Sequence, residues 1–191
     1  METRRPTHLF MVRPQLRDIP PPALPEGFLL RTWRPGDEAQ WLEVIEAGYG
    51  GGWDAGTFDR CIRSDPAFRP EALFVVEQGG RLVGVAGAFQ KLIHGDRTGY
   101  LHMMAVLPEF RRRGLGTALL RKCLIYFREQ GWRDAALDTE GSRAEAIRLY
   151  LAHGFEPAPE IEPDVRHWRA ILAALGRPDL VTRVACRPSY S

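Results

Sequence analysis

The chain has 191 residues, 45% of them hydrophobic and 26% charged, with a formal net charge of +2. That suits one soluble domain with a sizeable core, and the charge is too small to argue for a nucleic-acid binder. Cys61, Cys123 and Cys186 are odd in number and far apart, so neither a metal site nor a disulfide framework is written in them. No apolar run is long enough to span a bilayer and the N-terminus lacks a signal-peptide core, so a cytoplasmic protein is expected.

Residues 1–26 carry Pro6, Pro14, Pro20, Pro21, Pro22 and Pro25. This composition predicts a stiff, proline-rich arm rather than a packed element. Leu9 to Val12 leave a short edge strand as the other reading. Residues 27–191 are expected to form a single domain. Phe28 to Trp33 reads as its first strand, and Pro35-Gly36-Asp37 breaks it, with Asp37 placed to cap a helix. Trp41, Leu42, Val44 and Ile45 give that helix an apolar face. Gly48 to Trp53 is glycine-rich with two aromatics, Tyr49 and Trp53. A linker with packed aromatics and a ligand-bordering loop are both open for it. Thr57 to Arg63 predicts a short helix. Ala72 to Glu77 and Arg81 to Ala88 are strands joined by a Gln78-Gly79-Gly80 hairpin turn. His94-Gly95-Asp96 predicts a turn before the next strand, Thr98 to Leu107.

Tyr100 to Gln130 is the stretch that organises the chain. A strand stops at Pro108. A turn comes next, with Arg111, Arg112 and Arg113 beside Gly114 and Gly116. A helix then carries Leu120, Cys123, Leu124 and Phe127 on one face. The first N–H groups of a helix have no internal partner, and the helix dipole puts partial positive charge there. Glycines let a ligand approach the backbone, and the arginines add charge, so the turn suits a phosphate or pyrophosphate. A solvated basic turn satisfies the same residues. There is no GxxxxGKS/T loop and no full GxGxxG.

Beyond it, Gly131 predicts the helix end, Trp132 a packing anchor, and Asp134 to Thr139 a fifth strand. Parallel pairing with the fourth needs a crossover, which the intervening helix provides. Ser142 with Glu145 reads as a capping box for a helix through Tyr150. Gly154-Phe155 starts a sixth strand. Pro163-Asp164 opens an amphipathic helix at 164–175 with Val165, Trp168, Leu172 and Leu175 on one side. Leu180 to Ala185 is β-prone and reads as a seventh strand. By residue pattern the class is α/β (α+β).

The turn Arg111-x-x-Gly114-x-Gly116, after Val106-Leu107-Pro108, resembles motif A of the GNAT superfamily of acyl-CoA-dependent N-acyltransferases. Ala146-Ile147-Arg148-Leu149-Tyr150 with Gly154-Phe155 resembles motif B. The resemblance covers roughly Phe28 to Phe155. It implies a mixed, mostly antiparallel sheet of six to seven strands, flanked by helices, with the fourth and fifth strands parallel and splayed. It also implies acetyl-CoA as acyl donor and an amine of a small molecule, peptide or protein as acceptor. By carry-over, backbone groups of Met104, Ala105 and Val106 hold the pantetheine arm. Arg111, Arg112, Arg113, Gly114, Leu115, Gly116 and Thr117 hold the pyrophosphate. Tyr49, Trp53 and Thr139 are the expected acceptor contacts. Tyr150 takes the place of the tyrosine beside the sulfur. His102 takes the place of an acid that often serves as base. Where the family often has Asn before motif B, this chain has Arg143. That puts the pantetheine hydrogen bond in doubt, with Ser142 or Arg143 itself as substitutes.

The chemistry sets its own requirements. The amine attacks only when neutral, which for a lysine costs about 4.6 kcal/mol at pH 7 and for an α-amine about 1 kcal/mol. The thioester oxygen gathers negative charge and wants N–H donors. The departing thiolate wants a proton, which a phenol can give. A histidine accepts protons near neutrality. His102 as a strand histidine in an ordinary hydrogen bond, and Tyr150 as a packed ring, are the structural alternatives. Three readings are open: an active N-acetyltransferase, a catalytically silent acyl-CoA-binding sensor or interaction module of the same fold, and a nucleic-acid binder. The last is weakest. Neither nucleic acid nor membrane is an expected partner, no metal is expected, and a homodimer is among the expected assemblies.

Overall fold

A computed structural model describes residues 8–91 and 95–186. By class the fold is mixed α/β, with seven strands that are antiparallel except for one parallel pair, and helices flanking them. Two compact units divide the chain, one spanning Leu16–Arg133 and the other combining Met1–Gln15 with Asp134–Ser191.

Counting strands from β1 (His8–Arg13) in the second unit, the first unit contains β2 (Phe28–Thr32), β3 (Leu73–Gln78), β4 (Arg81–Gln90) and β5 (Thr98–Val106), paired antiparallel in that order. Gly79 and Gly80 join β3 to β4 with φ of 57° and 84°, the left-handed pair that a tight hairpin requires. α1 (Glu38–Tyr49) and α2 (Leu115–Glu129) pack on β4 and β5. Side chains alternate across a pleated strand. Gly84 and its partner Val106 lie under Leu119 of α2, whereas Ala105, paired with Val85, meets α1 at Gly48. On the α1 side, Trp33 stacks on Phe58 at 5.2 Å and Trp41 meets the same ring edge-on at 5.1 Å. Gly131 ends α2 as its spacing predicts. It takes φ of 76°, its N–H donates to Arg128 and that of Trp132 to Phe127, a Schellman closure.

One local expectation in this unit changes. Asp37 stands at the start of α1, but its carboxylate bonds no helix N–H. It accepts from both Arg31 guanidinium NH₂ groups at 2.7 and 3.0 Å and from the Arg34 N–H at 3.0 Å. A nearby cation outcompetes the helix amide for a buried carboxylate. The short helix expected at Thr57 to Arg63 is present, its last five residues, Asp59–Arg63, forming one wide turn. Of the turn expected at His94-Gly95-Asp96, His94 lies outside the described residues, and Asp96 and Arg97 make the turn that enters β5.

The second unit holds β1, β6 (Asp134–Glu140) and β7 (Glu156–Pro157), with β1 in the middle. The proline-rich segment is therefore not an arm along its whole length: residues 8–13 are an internal strand. Leu9 and Met11 are fully buried, and Met11 faces Leu137 on one side and Pro157 on the other. A short continuous apolar run such as Leu9 to Val12 suits a strand in the sheet interior, and prolines at 6 and 14 only bracket it. α3 (Ala144–Ala152) joins β6 to β7, and α4 (Glu162–Ala174) buries Val165, Trp168 and Leu172. The predicted capping box is absent. Arg143, not Ser142, precedes α3, and the Ser142 hydroxyl donates to Glu140 Oε2 at 3.4 Å. The β-prone tail is no strand: Pro178–Val181 forms a short helix, α5, with a turn after it. Among the described residues, no helix is long and apolar enough to cross a membrane.

Candidate active site

In the first unit the site residues gather where β5 ends and α2 begins. β5 is bulged. Val85 pairs with Ala105 but Gly87 pairs with His102, so Met103 and Met104 oppose Ala86 alone. Met103 takes φ of 47°, a costly conformation for a side chain of its size. Bulges turn backbone groups out of the ladder and re-aim the residues after them. The residues re-aimed here are Met104, Ala105 and Val106, the three expected along a pantetheine arm.

Leu107 and a short turn at Pro108–Phe110 lead into the basic loop. Arg112 has φ of 64° and Gly114 has φ of 82°, with Gly114 preceding the first residue of α2. Alternating left-handed residues point successive N–H groups into one concavity, which favours anions. A helix of 15 residues adds its positive end. Space beside Gly114 is open, with no atom within 4 Å of a Cβ built there. Its glycine is required by φ, not by crowding. The three arginines differ. Arg111 donates from Nε to the Val106 carbonyl at 3.1 Å and from an NH₂ group to the Ala47 carbonyl at 3.4 Å. Arg113 donates to Glu109 at 3.4 Å and lies over the Phe110 ring at 5.4 Å. All three are exposed.

At the end of α1, Tyr49 and Trp53 meet edge to face at 6.3 Å. The Tyr49 hydroxyl donates to the Met104 carbonyl at 3.4 Å, and Trp53 Nε1 donates to Gly50 at 2.5 Å. Tyr49 is therefore joined to the bulge, and Trp53 packs on Tyr49. His102 lies just before the bulge. Its Nε2 is 3.2 Å from the Cys61 carbonyl, so that nitrogen carries the proton and Nδ1 the lone pair. The Phe89 and Tyr100 rings lie 5.0 and 6.0 Å away. Burial, with the Lys91 ammonium second, pushes the imidazole down to about 4. His102 is neutral at pH 7 and a weaker proton acceptor than an ordinary histidine.

The second unit contributes the other sequence candidates. Thr139 is buried on β6 opposite Leu9. Ser142 and Arg143 form the turn into α3. Tyr150 is 5% exposed, with its ring 5.9 Å from that of Phe155. Arg13 of β1 donates to the His153 carbonyl at the end of the same helix, and to Gln15 at 2.8 Å.

Sequence reasoning missed four features. Met103 carries no glycine to announce its backbone. Arg112 is left-handed without being glycine or asparagine. Gly48 looked like linker, yet a Cβ there would lie 2.6 Å from that of Ala105; a glycine inside a helical pattern was the available signal. Arg13 belongs to the segment expected to be an arm.

The comparisons with known proteins agree with this arrangement. The acetyltransferase (GNAT) family model matches residues 38–155, and the chain belongs to that family. It is 34% identical over 149 residues to a mycothiol acetyltransferase of Streptomyces bingchenggensis, covering 74% of this chain and 47% of that protein. It is 32% identical over 154 residues to a protein of the same name from Thermomonospora curvata, covering 77% and 51%. The chain thus spans about half the length of the curated relatives it matches. Among solved structures, a GCN5-related N-acetyltransferase from Sphaerobacter thermophilus superposes with a TM-score of 0.63 at 28% identity, over 80% of this chain and 49% of that one. The ribosomal-protein-S18-alanine N-acetyltransferase of Escherichia coli shares the fold, with a TM-score of 0.56 at 23% identity over 66% and 76% of the two chains.

Proposed function

We propose that the chain is an N-acetyltransferase that moves an acetyl group from acetyl-CoA to a primary amine of a small molecule, peptide or protein. The observation that carries this is the turn at 111–117. A bulged strand feeds a left-handed Arg112 and Gly114 at the head of a long helix, within a chain that belongs to the acetyltransferase (GNAT) family.

The residues present fit such a donor. Left-handed Arg112 and Gly114, with open space beside Gly114, support a pyrophosphate held on the amides of Arg111 to Thr117. Backbone groups of Met104 to Val106, set off by the bulge, suit an amide-bearing arm. When bound, acetyl-CoA supplies the activated acetyl group and a thiolate leaving group. The protein's part is placement and protons. An N–H at Ala105 or Val106 stabilises negative charge on the carbonyl oxygen. Tyr150 donates a proton to the leaving sulfur. His102 Nδ1 is the candidate acceptor for the amine's proton, and Tyr49, Trp53 and Thr139 border the amine. Ser142 and Arg143 serve the donor in place of the family's asparagine. Because His102 is a weak base, an amine of low basicity, such as an α-amine, demands least from the site: about 1 rather than 4.6 kcal/mol to become neutral. The name of these relatives, mycothiol acetyltransferase, puts a mycothiol-related amine first among acceptors to try. We place the activity in the cytoplasm.

The test is a panel of amines with acetyl-CoA, monitoring release of free thiol. Turnover of at least one amine, abolished without it, supports the reading. Tight CoA binding with no turnover across α-amines, amino sugars and lysine peptides would instead support the silent CoA-binding module.

A further inference from the structure

We propose that Arg111 is a positioning residue that couples the phosphate-binding turn to the acceptor end of α1; this rests on the reading of that turn as a pyrophosphate site. α1 has no basic residue in its last turn. The final carbonyls of a helix lack intrahelical partners, and the Gly50 N–H reaches only that of Glu46. Arg111 supplies a donor to Ala47 from 64 residues away, at 3.4 Å, while its Nε holds Val106 at 3.1 Å. A cation there also meets the negative end of the helix dipole. One planar group therefore joins the last residue of β5, the last turn of α1 and, through its own backbone, the first residue of the turn.

The contacts beside it work in the same direction. Gly48 lets α1 approach Ala105 so closely that no Cβ fits between them, and the Tyr49 hydroxyl reaches Met104. The end of α1 is thus keyed to three consecutive residues, Met104, Ala105 and Val106. An anion that draws the turn's amides inward shifts the Arg111 backbone, and the guanidinium carries Ala47 and Tyr49 with it. With Nε and one NH₂ group of Arg111 engaged by carbonyls, the turn's backbone amides take the main part in phosphate binding. Lysine, with a single ammonium, cannot reproduce a bridge that needs two separated N–H groups of a rigid plane.

The test is hydrogen exchange of the full chain with and without CoA, monitoring the peptide from Glu46 to Trp53. In the wild type, CoA is expected to slow exchange there. In Arg111→Lys and in Arg111→Met, each compared at a CoA concentration that saturates it by titration, the slowing should disappear. Gly48→Ala, which leaves Arg111 intact but forces α1 off β5, should also lose it. Melting temperatures identify the variants that remain folded. The proposal is overturned if slowing persists in the Arg111 variants. It is also overturned if Arg111→Met loses tenfold or more in CoA affinity and Arg111→Lys restores it, since Arg111 is then a phosphate ligand. Wild-type chain that binds CoA without slowed exchange defeats the coupling alone. Wild-type chain that binds no CoA defeats the reading of the turn as well.

Discussion

A neutral, half-buried imidazole and a buried phenol are the two side chains on which the proposed chemistry depends. His102 titrates near 6.5 when unfolded and is pushed to about 4 when folded, by burial first and by Lys91 second. Between those values the unfolded chain binds the extra proton. Stability from this group is therefore complete above pH 6.5 and is lost as pH falls toward 4, by about 3 kcal/mol in all. His102→Gln should flatten the fall in denaturation midpoint across pH 6.5 to 4; an unaltered slope would assign it to other groups. The same value moves a kinetic expectation: a pH-rate limb governed by His102 belongs near pH 4, not near neutrality. For Tyr150, Tyr150→Phe should lower kcat by ~10²-fold with little change in KM for acetyl-CoA, the pattern of a lost proton donor. Wild-type kcat, with chemistry rate-limiting, would make the ring simple packing against Phe155.

At the scale of elements, the turn between β5 and α2 stands on one glycine. Gly114→Val keeps every charge and meets no neighbour, but φ of 82° is closed to a β-branched residue. CoA affinity should fall at least about tenfold, roughly 1.4 kcal/mol; unchanged affinity in a titration would remove the phosphate assignment. Gly99 tests the packing under the same strand, since a Cβ there would run into the Phe127 ring. Gly99→Ala should cost about 1–3 kcal/mol by overpacking, read as a lower denaturation midpoint. These elements also show what sequence can carry. The turn was legible because its arginines, its glycines and the apolar face of α2 are contiguous. The strands of β3 and β4 were legible because a Gly-Gly turn fixed their register. The bulge was not, because Met103 is driven left-handed by the ladder around it and not by its own preference. Nor was the Ser142 hydroxyl's choice of Glu140 over the helix, which depends on a side chain that pattern does not place. The roles of Tyr49 and Trp53 came from a resemblance, while the Tyr49 bond to Met104 depends on the bulge and is not written in the sequence.

At the scale of the whole molecule, β1 decides the integrity of its unit. It pairs with β6 along its full length and with β7 at Met11 and Val12, and its inward residues are buried. Met11→Ala should destabilise by about 2–5 kcal/mol. Amide protection at Ala135 to Thr139 should fall more than at β3 and β4, as hydrogen exchange would show; equal losses everywhere would mean that the chain unfolds as one body. The strand's position in the chain has a further consequence for synthesis. Residues 8–13 leave the ribosome long before their partners exist: Pro157 lies 144 residues after Arg13, about 7–30 s at ordinary elongation rates. Until β6 is made, a short run of Leu, Phe, Met and Val has both edges unpaired, and until β7 is made, one edge. The prolines that bracket it, which disguised it as an arm in the sequence, cannot donate to a ladder, and so they limit how far a stray strand could zip onto the nascent chain before β6 and β7 arrive to claim it.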